Sequence, residues 1–378
     1  MNLRRTWAVA RKEFLHVLRD PRSLGMGIVI PMFMLVVFGF ALTLDLNEVP
    51  LAVWDQSNTP ASRDFLSHFT GSPYFSVRYR VGSYQEIQRL IDDGRAMAAL
   101  VVPREFQTHP AAGRRNNVLQ MIVDGSDANT ATLLIGYAQA ITQNFAEDLL
   151  VQQSLRQSGK TLEFPLDSRP RVWFNADMES KNFIVPGLIA VVMMVIAALL
   201  TSLTVAREWE GGSMEQLIAT PVQSSELILG KLIPYFSIGM FDVAAAVLMG
   251  VLLFHVPLRG SVLLVFAMAA VFLVGALSMG ILISTVTKNQ LVASQVAMTA
   301  TFLPAFLLSG FMIPIVNMPW PIQMFTYVVP ARYFIDLLRG IYLKGADLRI
   351  LGFQALLLSV FGVLMLVVAV AKFRKRLE

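Results

Sequence analysis

The stretch NFIVPGLIAVVMMVIAALLTSLTVA, residues 182–206, holds 25 residues and no charge. A helix needs about 20 apolar residues to cross a hydrocarbon core, so this run predicts a membrane span. It passes directly into REWEGGSMEQLIATP, residues 207–221, an acidic stretch with two adjacent glycines. Long apolar runs and short polar turns then alternate to the end of the chain. Residues 232–254 carry one charge, Asp242. Residues 261–287 and 291–313 carry none and are separated by Lys288, Asn289 and Gln290. Residues 350–371 form the last run. Upstream, residues 24–44 add 21 more without a charge, roughly 31 Å of helix. That run is too long for a signal-peptide core, and no small-x-small cleavage site follows it. It reads as a retained anchor, with Pro31 expected to kink it.

The composition agrees. Of 378 residues, 55% are hydrophobic and 15% charged, against about 25% charged in average soluble domains. The net charge of +5 comes from basic residues beside apolar runs, so nucleic acid is not an expected partner. With no cysteine, disulfides, thiol catalysis and cysteine metal sites are excluded. His16, His68, His109 and His255 are scattered without ligand spacing, so no metal site is expected. No G-x-x-x-x-G-K-[ST] occurs: Gly230-Lys231 lacks the upstream glycine and the Ser/Thr. The chain therefore has no P-loop with which to hydrolyse ATP. Nucleophile elbows and dinucleotide fingerprints are missing as well. No catalytic residue, no enzyme activity and no cofactor of its own is expected.

Residues 1–23 carry Arg4, Arg5, Arg11, Lys12, Arg19 and Arg22. Leu3, Trp7, Ala10, Phe14 and Val17 recur at helical spacing, beside a basic row of Arg5, Lys12 and Arg19. The pattern predicts an amphipathic helix in the membrane interface; the alternative is a plain charged leader. Residues 45–181 differ in character. Up to Glu179 they hold 12 Lys/Arg and 16 Asp/Glu. Strands are expected at 49–54, 74–81, 96–102, 118–123 and 171–174, and helices at 60–69, 84–92 and 129–157. The segment is long enough for its own core and reads as an α/β domain inserted between the first two spans.

The fold class expected is thus an α-helical membrane protein: six transmembrane helices, with spans two to six in 182–371, and the inserted domain. Six spans put both termini on one side. With the N-terminus inside, short inside segments hold 13 Lys/Arg and short outside segments 5. The positive-inside rule then puts both termini, including the basic tail 372–378, in the cytoplasm. The domain 45–181 falls outside, periplasmic in a Gram-negative cell.

Residues 207–231 become a cytoplasmic loop. From 207 to 230, Glu208, Glu210, Glu215 and Glu226 stand against Arg207 alone, the reverse of the usual bias. Two readings stand side by side: a solvated loop, or a docking element for a cytosolic partner with a basic surface. Gly211 and Gly212 predict a bend. Ser213 is expected to cap a short helix over 214–219 that Pro221 ends, with Met214, Leu217 and Ile218 on one side.

This stretch resembles the signature loop of ABC-2-type transporter permeases, R-E-x-E-x-G-[ST]-x-E-Q-L-x-x-[TS]-P. Arg207, Glu208, Glu210, Gly212, Ser213, Glu215, Gln216, Leu217, Thr220 and Pro221 match, whereas Gly211 replaces an expected basic residue. A second match runs from Leu308-Ser309-Gly310-Phe311-Met312-Ile313-Pro314 through Met318-Pro319 to Pro330-Ala331-Arg332-Tyr333-Phe334. The resemblance covers the whole chain and is greatest to multidrug export permeases with a large external domain. It implies that the loop contacts a separate cytosolic ATPase, which binds the ATP, and that the N-terminal helix lies near that contact. Arg207, Glu208, Glu210, Glu215 and Gln216 would couple to the ATPase, with Gly212, Thr220 and Pro221 shaping the element. It also implies a second permease, identical or not, in the bacterial inner membrane. A periplasmic adaptor and membrane lipid are further partners to expect. Drug-like or lipid-like amphipaths moving outward are the expected cargo. Small cations are an alternative, as is a receptor or scaffold built on the external domain.

Three further features stay open. Residues 314–349 are too polar and proline-rich for a span. They are either a surface loop or, as the resemblance implies, a re-entrant hairpin of two short helices, with Arg332 and Asp336 able to pair. Asp242 lies near the middle of its span, where a carboxylate costs about 2.5–3.5 kcal/mol to insert. It is either structural, bonded to Gln295 or Tyr235, or part of a transport pathway. Pro234 and Pro304 are expected to kink their helices, and Gly275 and Gly280 to allow close contact.

Overall fold

A computed structural model describes residues 2–42, 48–106, 119–158, 173–175 and 179–373. It divides into two compact units, Met1–Thr43 with Arg171–Glu378, and Leu44–Pro170.

The first unit opens with α1 (Leu3–Arg19), then α2 (Pro21–Leu24), a π-helical turn (Gly25–Val29) and α3 (Ile30–Ala41). Pro31 explains the turn. It has no N–H to donate, and its ring crowds the carbonyl four residues back, so the helix widens just ahead of it. The apolar helix Gly25–Ala41 has 17 residues, shorter than the run 24–44; residues 43 and 44 lie outside the described ones.

The second unit is α/β: β1 (Val49–Asp55), α4 (Pro60–Thr70), β2 (Phe75–Arg80), α5 (Tyr84–Asp92), β3 (Ala98–Val102), β4 (Gln120–Val123) and α6 (Ala128–Ser158). The sheet order is β2-β1-β3-β4. β1 runs parallel to both neighbours, and β4 is antiparallel to β3. β3 is buried at every residue. Phe65 and Phe69 of α4 pack on one face of the sheet, with Phe145 of α6 in the same core; Ile87 of α5 packs on the other. Thr59 and Ser62 form a reciprocal cap at the start of α4. The strand expected at 171–174 is not formed at its described residues. Trp173 and Phe174 lie outside any strand, and Phe174 has φ +73°, which extended pairing does not accommodate. Residues 171 and 172 lie outside the described ones.

The first unit resumes with α7 (Ser180–Glu210), α8 (Ser213–Ala219), α9 (Ser224–Leu252), α10 (Val262–Thr287), α11 (Gln290–Leu307), α12 (Trp320–Thr326), α13 (Pro330–Lys344) and α14 (Leu348–Lys372). Five of these, α7, α9, α10, α11 and α14, are long and apolar enough to cross a membrane. The α11 run was expected to reach residue 313 and stops at Leu307. The Leu308 amide still bonds to the Pro304 carbonyl, but Gly310 then takes φ +79°, and the chain turns. Residues 315–344 hold a 3-10 turn and the two short helices expected there. Phe334, Leu337, Leu338 and Ile341 of α13 are fully buried. Arg332 directs its guanidinium to the Thr326 hydroxyl and over the Tyr327 ring instead of to Asp336. Arg339 bonds the Gly310 carbonyl at 3.0 Å and lies over the Phe183 ring, tying α13 to α7.

α7 is the axis of this unit and is buried along nearly all of its apolar length. α14 keeps Phe353, Leu356, Val360, Val363 and Val367 exposed. Lipid is the ordinary solvent for such a face. α10 meets α7 at Gly280, where an added Cβ would lie 2.3 Å from the Ala198 carbonyl oxygen. Thr201 Oγ1 bonds the Leu277 carbonyl at 2.9 Å beside it. Gly280→Ala should therefore lower the unfolding free energy in mixed micelles by about 2 kcal/mol or more. Gly352→Ala, where a Cβ meets nothing within 4 Å, should be neutral or slightly stabilising. Equal effects in the two unfolding titrations would contradict the close contact.

Candidate functional site

The acidic stretch folds as the end of α7, a two-glycine bend, and α8. Gly211 caps α7 in helical conformation. Gly212 takes φ +67° at the N-cap position of α8, a conformation that glycine adopts without steric cost. Ser213, expected to cap the helix, is its first residue instead. Its hydroxyl points back to the Glu208 carbonyl at 3.4 Å. Met214 is buried, and Leu217 and Ile218 are half-buried against the same core. Glu215 and Gln216 face outward and are exposed. Thr220 Oγ1 bonds the Leu217 carbonyl at 2.6 Å to close the helix, and Pro221 follows.

Beneath α8 lies a buried cluster of charge. Lys231, at the start of the apolar part of α9, is 1% exposed. Its Nζ lies 2.9 Å from Glu208 Oε2 of α7 and 3.5 Å from Glu13 Oε2 of α1. Lys12 Nζ reaches Glu208 Oε1 at 3.0 Å, and Tyr235 donates its hydroxyl to Glu13 at 3.3 Å. Two cations thus face two carboxylates across three helices, Lys231 from inside the bundle and Lys12 from the surface, with its side chain 54% exposed. Buried charge of this kind is tolerated only when paired and hydrogen-bonded.

Around the cluster, α1 is bonded to both flanks of α8. Arg207 Nη1 lies 2.9 Å from His16 Nε2 and 3.4 Å from Asp20 Oδ2. Arg5 donates to the Pro221 carbonyl at 2.6 Å. The Asn2 amide donates to Glu226, whose other oxygen accepts from the Gln223 amide at 3.0 Å to cap α9. The face of α1 that packs inward is Thr6, Ala10, Glu13 and Val17. Gly230 of α9 makes this possible, since a Cβ there would come 2.9 Å from the Thr6 carbonyl oxygen. The expected apolar stripe of α1 is divided. Ala10 and Val17 are buried, whereas Leu3 and Trp7 are 75% and 64% exposed.

The sequence-derived residues therefore fall into separate places. Glu208 is not a surface residue; its carboxylate is spent inside the cluster, because it sits one helical turn below the bend. Arg207 pairs with α1. Glu210 accepts from the Gln290 amide at 2.9 Å and from its side chain, so it caps α11. Of the expected contact side chains Glu210, Glu215 and Gln216 are exposed, and of these Glu210 is taken up by Gln290. Asp242 is buried, and its Oδ1 has no hydrogen-bond partner among the described residues. Neither expected partner reaches it: Tyr235 is bonded to Glu13, and Gln295 is exposed on α11. Glu13 and Lys231 went unnoticed in the sequence as a pair. A lone acid on the inward face of a basic helix and a lone lysine at the mouth of an apolar helix were the available signal.

A family profile described as "ABC-2 family transporter protein" matches residues 21–371. The Escherichia coli (strain K12) protein "Probable multidrug ABC transporter permease YbhS" is 37% identical over 378 residues, covering 100% of this chain and 99% of the relative. "Probable multidrug ABC transporter permease YbhR" of the same strain is 30% identical over 353 residues, 92% of each chain. "Inner membrane transport permease YhhJ", also from that strain, is 26% identical over 359 residues, 91% of this chain and 92% of its own. The profile match takes in Glu208 and Lys231 of the charge cluster, α8 and the five long apolar helices, and the chain belongs to the ABC-2 family of transporter proteins as a multi-pass membrane protein.

Proposed function

We propose that the chain is the membrane-spanning permease subunit of an ATP-driven exporter in a bacterial inner membrane, energised by a separate cytosolic ATPase that binds the ATP. The carrying observation is α8. Glu215 and Gln216 are exposed on a short helix that follows α7 across the two-glycine bend, and one turn before that bend Glu208 of α7 is ion-paired with Lys12 of α1 and Lys231 of α9. Closure of an ATPase against α8 is then passed to three helices together. Gly212, Thr220 and Pro221 shape the contact; Glu210 and Arg207 hold the neighbouring helices to it, and Glu208 anchors it from below. The segment Gly25–Ala41, with the residues around it, supplies a sixth span. Both termini lie in the cytoplasm in this reading, which the excess of basic residues in the inside segments supports, and the inserted α/β unit lies outside, within reach of a periplasmic adaptor. Two permeases and two ATPases enclose the pathway, and residues 315–344 form its outer cap.

The cargo is a drug-like or lipid-like amphipath moving outward, in keeping with the relatives named for multidrug transport. Asp242, buried and with an unbonded Oδ1, is assigned to the pathway, and Gln295 lies on another of its helices. Asp242→Asn should reduce export in energised vesicles at normal membrane levels; undiminished export would remove Asp242 from the pathway. Glu215→Lys, tested by co-purification with a Walker-motif ATPase partner, should weaken the complex at least tenfold and abolish ATP-dependent export. A complex of unchanged yield would sink the docking role of α8.

A further inference from the structure

The α/β unit carries a feature that the transport reading does not use. A cavity of about 630 Å³ lies along α4 beside the carboxyl ends of β1 and β2, a volume in the range of small-molecule sites. The cavity opens at the carboxyl edge of the parallel strands, the edge at which open α/β sheets bind ligands, beside β1 and β2. Val53, Leu66 and Val81 give the cavity an apolar wall, and Arg63, Arg80 and Ser67 a polar one.

The charges there are unbalanced. Arg80, at the end of the edge strand β2, makes no hydrogen bond or ion pair among the described residues. Arg63 Nη1 donates to the Asn58 carbonyl at 3.1 Å, which fixes the guanidinium and leaves its other N–H groups free to bind. Asn58 takes φ +50°, turning the loop after β1 back toward α4. The one carboxylate in the lining, Asp55, is occupied locally. Oδ1 accepts the amides of Ser57 and Asn58 at 3.1 and 2.9 Å, and Oδ2 the Ser62 hydroxyl at 2.6 Å. It is bonded within the loop and makes no ion pair with either arginine among the described residues.

We propose that this cavity binds a small amphipathic organic anion, with its carboxylate on Arg80 and Arg63 and its apolar body against Val53, Leu66 and Val81. Guanidinium groups suit this role because their planar fork matches a carboxylate. The binding needs neither ATP nor the ATPase, so it stands or falls apart from the transport reading.

The test is equilibrium dialysis of 4-biphenylcarboxylate against the full chain in neutral phosphatidylcholine nanodiscs, with empty nanodiscs subtracted. Binding should be saturable at one site per chain and weaken at least tenfold in Arg80→Gln and in Arg63→Gln. Arg78→Gln, an exposed arginine of the same strand outside the cavity, should leave it unchanged. The neutral 4-biphenylmethanol should bind at least tenfold more weakly than the acid, and equally to wild type and variants, which reports an intact groove. Absence of saturable binding, equal binding of acid and alcohol, or insensitivity to both arginine changes would each overturn the proposal.

Discussion

Lys231 is placed where a lysine is costly. It stands inside a helix bundle, shielded from water, and its charge is offset only because Glu208 and Glu13 arrive from two other helices. The ends of α1, α7 and α9 are therefore fixed by one electrostatic requirement. If any of the three moves alone, a buried charge loses its partner. Apolar contact between spans has no such demand, since lipid solvates leucine as well as another helix does. The cluster thus gives the bundle a position where sliding is forbidden, and α8 grows directly out of it.

The rest of the first unit is arranged around that fixed point. α7 runs from the cluster through the centre of the bundle. It is clamped to α10 where Gly280 lets the backbones meet and to α13 through Arg339. At the last residue of α7, just before the bend, Glu210 caps α11. α7, which leads through the bend into α8, is thus joined to α1, α9 and α11 by charged or hydrogen-bonded contacts, and to α10 and α13 by Thr201 and Phe183. That connectivity is what a chain lacking its own P-loop requires if its energy comes from a separate protein.

Much of this was legible in the sequence. Apolar runs located the five long apolar helices, α7, α10 and α14 to within four residues at each end, while α9 begins eight residues before its expected start and α11 ends six before its expected end; the patterns also located all four described strands and the three helices of the α/β unit. The ends were harder. α11 stops early because a glycine is free to turn where the hydropathy stays high. The expected Ser213 cap shifts by one residue because Gly212 takes the left-handed position. The site was half legible. A motif marks residues 207–221 but does not say which side chains point outward, since the helical phase of Glu208 relative to Glu215 depends on the two-glycine bend between them. Nor did the pairing of Glu13 with Lys231 follow, because residues 218 apart meet only once α1 lies back along α9. Uniformly apolar helices also carry no stripe to say which is central, and the burial of α7 is a property of the assembled bundle.

The account depends on the buried cluster acting as one unit. Its most direct test is a double-mutant cycle on Lys231 and Glu13, read as unfolding free energy in mixed micelles. Lys231→Met alone leaves two carboxylates with Lys12 and Tyr235, and should cost about 3–5 kcal/mol. Lys231→Met with Glu13→Gln should recover part of that loss, giving a coupling of about 1–3 kcal/mol. Costs that add to within about 0.5 kcal/mol would contradict a locked junction of α1, α7 and α9.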